Sequence, residues 1–91
     1  PRVRRDLALL IDRDISYKQL KDIAEKAERN FLKEIRLFDV YEGKNLPEGK
    51  KSYAIMYILQ DENKTMTDKQ IDKIMKKLID AYVREIGAEI R

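Results

Sequence analysis

The sequence predicts an α+β fold in which four strands form one antiparallel sheet and two helices cover one of its faces. Three observations carry that expectation. Four short segments are rich in apolar, β-branched or aromatic residues. Two longer segments repeat apolar residues at helical spacing behind a capping residue. The six follow one another as strand, helix, strand, strand, helix, strand.

Each element has its own justification. Arg5 to Asp12 (RDLALLID) is an apolar run bounded by charges and reads as a central strand, with Leu7, Leu9 and Ile11 on one face and Ala8 and Leu10 on the other. Ser16 opens the first helix. Gln19 completes a capping box, and Ile15 and Leu20 occupy the staple positions. Leu20, Ile23, Ala24, Ala27 and Phe31 form its apolar stripe, which reads as core packing. Lys33 to Tyr41 is the second strand and Lys51 to Gln60 the third, joined by a loop long for a hairpin. Thr67 caps the second helix, with Gln70 as capping-box partner and Met66 and Ile71 as staple. Its stripe runs through Ile71, Ile74, Met75, Leu78, Tyr82 and Ile86. Gly87 stands where a left-handed C-terminal cap belongs, and Ala88 to Arg91 is a short last strand. This is the βαββαβ order of ferredoxin-like folds, which leaves the second face of the sheet open.

Strand alternation assigns the faces. On the third strand Tyr53, Ile55, Tyr57 and Leu59 are the bulkier set and belong under the helices, and Phe38 and Val40 are expected in the core with them. Ala8, Asp39, Tyr41 and Ser52 then share the open face. Ile35, Leu37, Met56 and Ile58 fall there too by parity, unless a bulge near Leu37 turns Ile35 inward. An apolar open face points to a partner or a neighbouring domain.

Composition limits the function. The 91 residues suffice for a single domain, residues 1–91, and the start at Pro1 is expected to mean a fragment of a longer protein. With 43% hydrophobic and 41% charged residues the chain is globular rather than disordered. Its 20 Lys+Arg against 17 Asp+Glu leave +3, a bias that permits phosphate contact without requiring it. There is neither cysteine nor histidine, which removes disulfides, thiolate nucleophiles, imidazole bases and almost every zinc site. A small domain without such staples fits the cytoplasm. No apolar run approaches the roughly 20 residues of a membrane span.

The acid pairs Asp61/Glu62 and Asp12/Asp14 match no complete calcium loop, and Gly43 and Gly49 lack a phosphate-loop motif around them. No nucleophile–base pair can be assembled, so no active site, metal or cofactor is expected in this chain.

The informative segment is Leu37-Phe38-Asp39-Val40-Tyr41-Glu42-Gly43 with Pro47-Glu48-Gly49-Lys50-Lys51-Ser52. Asp39 reads either as a surface acid near a strand end or as an acceptor for the two adjacent donors on a guanine's Watson–Crick edge. Tyr41 reads either as a half-buried strand aromatic or as a stacking platform for a base.

These residues, with Arg5-Asp6-Leu7-Ala8, Thr65-Met66-Thr67-Asp68 and Gly87-Ala88-Glu89, run in order over nearly the whole chain. Together they closely resemble the ferredoxin-fold anticodon-binding domain that ends the β subunit of bacterial phenylalanyl-tRNA synthetase. The resemblance implies a domain that grips the anticodon stem and loop of phenylalanine tRNA. It implies that the first anticodon base, a guanine, is stacked and read on the open sheet face. The family's contact positions fall on Ala8, Asp39, Tyr41 and Ser52. Arg36, Lys50 and Lys51 are added here as phosphate contacts, from charge and proximity. The resemblance further implies a parent enzyme that joins phenylalanine to its tRNA with ATP and Mg²⁺, as an α2β2 assembly whose catalytic centre lies in the α subunit. Met66 departs from the leucine common in the family, a change a staple position tolerates.

Two other readings compete. One is a generic RNA-binding module of the RRM type, whose third-strand motif Lys51-Ser52-Tyr53-Ala54-Ile55 faintly echoes, with Ser52 where glycine belongs. The other is a ferredoxin-like regulatory or oligomerisation domain whose open face pairs with another copy, which a Tyr41 turned inward would favour.

Overall fold

A computed structural model describes residues 1–91 and has the expected element order. The elements are β1 (Val3–Asp12), α1 (Tyr17–Ala27), β2 (Leu32–Tyr41), β3 (Lys50–Leu59), α2 (Asp68–Ile86) and β4 (Glu89–Ile90). The strands form one sheet in the order β2-β3-β1-β4, and every neighbouring pair is antiparallel. The helices end where local chemistry ends them. The Ser16 hydroxyl accepts from the Gln19 amide and Gln19 reaches back to the Ser16 amide, closing the capping box of α1. Thr67 accepts from the Gln70 amide, but the return bond is missing, so α2 has only half of its expected box. Gly87 takes φ 63° and terminates α2, with the Ala88 amide donating to the Tyr82 carbonyl. Phe31 falls beyond the end of α1, in the turn before β2, and still packs against the core.

The core joins the helix stripes to one sheet face. Leu9, Ile11, Ile55, Tyr57 and Leu59 meet Leu20, Ala24, Ile71, Ile74, Leu78 and Tyr82, all essentially buried. Polar side chains fasten the layers. The Tyr57 and Tyr82 hydroxyls share a 2.8 Å hydrogen bond inside the core, and the Tyr17 hydroxyl donates to the Ile35 carbonyl at 3.1 Å. Glu28, 3% exposed, accepts from the Asn30 and Phe31 amides at 3.2 and 3.0 Å and from Lys77 Nζ at 2.9 Å, tying the end of α1 to β2 and α2. Burial opposes ionisation of its carboxyl, but those donors outweigh it and hold the group below its ordinary value.

Strand β2 overturns part of the parity assignment. Leu37 pairs with Ile55 and Asp39 with Ala54, so Phe38 is an extra residue in a β-bulge. Before the bulge, Ile35 and Leu37 stand opposite Tyr57 and Ile55 and pack against the core, not on the open face. Phe38 follows them in alternation onto the open face and is 50% exposed rather than buried. Val40 keeps the helix-side register opposite Tyr53, but no helix covers it there and it is 48% exposed. Met56 and Ile58 do lie on the open face, in register with Asp6 and Arg4.

Candidate nucleic-acid interface

The bulge builds the site. By resetting the alternation of β2, it places Asp39 and Tyr41 opposite Ala54 and Ser52, on the face away from the helices. Two rows then cross the sheet. One runs Asp39–Ala54–Ala8 and the next Tyr41–Ser52–Leu10. Rows two residues apart lie about 6.5–7 Å from each other along the strands. The two facing alanines at the centre, with Ser52, make a low floor. Asp39 and Tyr41 on the edge strand make one wall. Asn45 from the loop after β2 and Arg91 after β4 complete an open concavity of about 520 Å³. That volume lies within the range of small-ligand sites.

Arg91 is held there because its amide donates to the Ala8 carbonyl at 2.8 Å, extending the short β4 pairing by one bond. Asn45 sits in a loop fixed at its ends. Arg13 donates its amide to the Gly49 carbonyl at 2.9 Å and its guanidinium pairs with Glu42 at 3.3 Å. Asn45, Ala54 and Arg91 are the lining residues the sequence reading missed. Ala54 was readable from parity with Ser52. The other two are brought in by loop and β4 geometry, for which the sequence carries no signal.

Tyr41 stands against the loop backbone. A Cβ added to Gly43 would meet its hydroxyl oxygen at 2.5 Å and Cζ at 2.7 Å, so only glycine leaves room for the ring as placed. Tyr41 remains 41% exposed towards the concavity. Asp39 is exposed and takes part in none of the chain's ion pairs, as holds also for Asp14, Asp61, Asp68 and Asp72, but of these five only Asp39 lines the concavity.

The structure separates the three cationic candidates. Lys50 lies at the rim on the open-face side, two residues from Ser52, and pairs with Asp12 at 2.6 Å; that hydrogen bond raises its pKa. Arg36 lies on the open face opposite Met56, outside the concavity, paired with Glu34 at 2.9 Å. Lys51 lies on the helix side opposite Ile11 and is 8% exposed. Its ammonium donates to the Tyr53 hydroxyl at 2.9 Å and stands 4.4 Å from that ring's centroid. Its expected place beside Lys50 was wrong because adjacent strand residues point to opposite faces.

Open-faced sheets that carry exposed aromatics recur among modules on which unpaired bases stack. The chain belongs to the family described as the ferredoxin-fold anticodon binding domain, whose model matches residues 1–91. Among curated proteins it is 53% identical over 91 residues to the phenylalanine–tRNA ligase beta subunit of Bacteroides fragilis, covering all of this chain and 11% of that protein. It is 47% identical to the corresponding subunit of Porphyromonas gingivalis and 41% to that of Clostridium acetobutylicum, covering 11% and 12% of those chains. The chain thus spans about one-ninth of the length of these relatives. Among solved structures, a hydantoinase/carbamoylase family amidase from Burkholderia ambifaria superimposes with a TM-score of 0.58 over 99% of this chain and 26% of its own, at 12% identity, a likeness of fold alone. No helix is long and apolar enough to cross a membrane.

Proposed function

We propose that this chain is the anticodon-binding module of a phenylalanine–tRNA ligase β subunit, and that its concavity receives the first anticodon base of phenylalanine tRNA, a guanine. The observation that carries the reading is an unpaired carboxylate, Asp39, on the same edge as the Tyr41 ring, above a floor of Ala8, Ala54 and Ser52. A guanine stacked on Tyr41 presents two adjacent donors, and a free carboxylate accepts both without first leaving a protein partner. Ser52 adds a hydroxyl at the floor. Lys50 and Arg36 meet the phosphates around the base. Lys51 has a structural part, because its charge is held against Tyr53.

The proposal extends to the longer protein. There this module contributes tRNA binding to an α2β2 enzyme that uses ATP and Mg²⁺ in the cytoplasm, with the chemistry performed in the α subunit. The module itself needs no cofactor.

The test is a titration of a phenylalanine-tRNA anticodon hairpin with wild type and with Asp39→Ala. Loss of a bidentate base contact weakens binding by about 1–3 kcal/mol. Replacing the guanine by inosine, which lacks the exocyclic amine, weakens the wild type and leaves the variant nearly unchanged. Equal affinity of variant and wild type for the guanine hairpin removes Asp39 from the site.

A further inference from the structure

We propose that Phe38 and Arg4 form a second, sequence-tolerant stacking platform on the open face, holding a nucleotide next to the one at Tyr41. This rests on the reading of that face as an RNA surface. The bulge is the starting point. It places two successive residues, Phe38 and Asp39, against the interval between Ile55 and Ala54, and both turn towards the open face. One is the carboxylate of the concavity. The other is an aromatic ring left 50% exposed, outside the core cluster.

Arg4 lies over that ring. It stands on the open face of β1 in register with Ile58, and its guanidinium lies 5.4 Å from the Phe38 centroid. Asp6 holds it there through a two-pronged contact at 3.0 and 3.2 Å. A ring and a planar guanidinium are the two protein surfaces on which unstacked bases settle, and neither reads base identity. Phe38 also lies near Tyr41 in the right sense. About 7–10 Å separate them along the strand, a span that neighbouring splayed bases of one single strand can bridge. Met56 and Ile58 then lie beneath the second nucleotide rather than bare to water.

The occupant is a single-stranded nucleotide and not a second copy of the chain. The platform continues from the concavity on the same strand, and an exposed ring beside a planar guanidinium whose charge Asp6 balances suits a stacked base. Asp6 and Glu34 pair with Arg4 and Arg36 along their own strands.

The experiment uses anticodon hairpins carrying 2-aminopurine at successive loop positions, titrated with wild type, Phe38→Ala, Phe38→Tyr and Asp39→Ala. Phe38→Ala is expected to lower affinity about 5- to 150-fold and to abolish the protein-induced fluorescence change at one nucleotide beside the guanine. Changing that neighbouring base in an unlabelled hairpin alters wild-type affinity little. Phe38→Tyr keeps a ring and retains both signals. Asp39→Ala keeps the neighbouring fluorescence change at saturation. A wild-type-like titration by Phe38→Ala, with Asp39→Ala weakened, overturns the platform alone. Failure of the wild type to bind any hairpin overturns both readings. Because Phe38 lies outside the core, circular dichroism of Phe38→Ala is expected to match wild type.

Discussion

Replacing Gly43 with alanine separates the geometry of the site from the stability of the fold. The new Cβ would lie 2.5 Å from the Tyr41 hydroxyl oxygen and 2.7 Å from Cζ. Ordinary contact begins near 3.4 Å, so the phenol end must retreat by about 0.9 Å. Tyr41 is 41% exposed and at the sheet edge, so its ring swings at little cost to the fold, about 0.5–1.5 kcal/mol if the rotamer is strained. The whole cost to binding is larger, because a base stacked on a tilted ring loses much of a contact worth about 1–3 kcal/mol and its donors move away from Asp39. The expected result is a five- to thirtyfold weaker hairpin titration by fluorescence anisotropy, with thermal unfolding shifted by only a few degrees. Tyr41→Ala combined with Gly43→Ala should then cost hardly more than Tyr41→Ala alone, since the glycine acts through the ring. Full affinity in Gly43→Ala would refute the claim that the Tyr41 ring is used as placed.

Two further substitutions probe the charges. Lys50→Ala is expected to lower affinity for any hairpin and to reduce the salt slope by about 0.7–1, whereas Lys51→Ala destabilises the fold and leaves the slope unchanged; a flattened slope in Lys51→Ala would show that its ammonium reaches phosphate after all. Glu28→Gln is expected to cost about 1–2 kcal/mol at pH 7 by urea unfolding, because the part-buried Asn30 and Phe31 amides and Lys77 lose a charged acceptor while half-exposed Lys77 is partly solvated. Because the Glu28 carboxyl titrates lower in the fold than in the unfolded chain, its contribution is complete above about pH 4.3 and fades as pH falls through the folded value, so the gap between wild type and Glu28→Gln narrows in acid. A gap that widens there contradicts the assignment.

Most of the fold was legible. Ser16 with Gln19, Thr67, and Gly87 mark helix ends by chemistry local to a few residues, and the structure has helix ends there. The alternation of β3 sorted Tyr53, Ile55, Tyr57 and Leu59 from Ser52, Ala54, Met56 and Ile58, because β3 pairs without interruption along β1. Strand β2 was misread for a definite reason. Alternation carried from Tyr41 back to Ile35 assumes an unbroken period of two, and the extra residue Phe38 shifts it by one. Asp39 and Tyr41 were assigned to the open face, as found, but Leu37 and Phe38 were each assigned to the wrong side, and Ile35 turned inward as the alternative of a bulge near Leu37 had it.

The sequence by itself determined the order of elements, the cap residues, the helix and β3 contributions to the core and the absence of histidine and cysteine. It also carried the motifs that placed Ala8, Asp39, Tyr41 and Ser52 together. All of these depend on residue identity and on spacing within one element. The tertiary structure alone decided that Asp39 is free of ion pairs, that Lys50 lies on the open-face side paired with Asp12 and Lys51 on the helix side, and that Gly43 lies against the phenol end of Tyr41. It alone brought Arg91 beside Ala8 and Arg4 over Phe38. Those facts depend on the register between strands and on one bulge. Register is set by the summed packing of both sheet faces, which no single segment of sequence encodes.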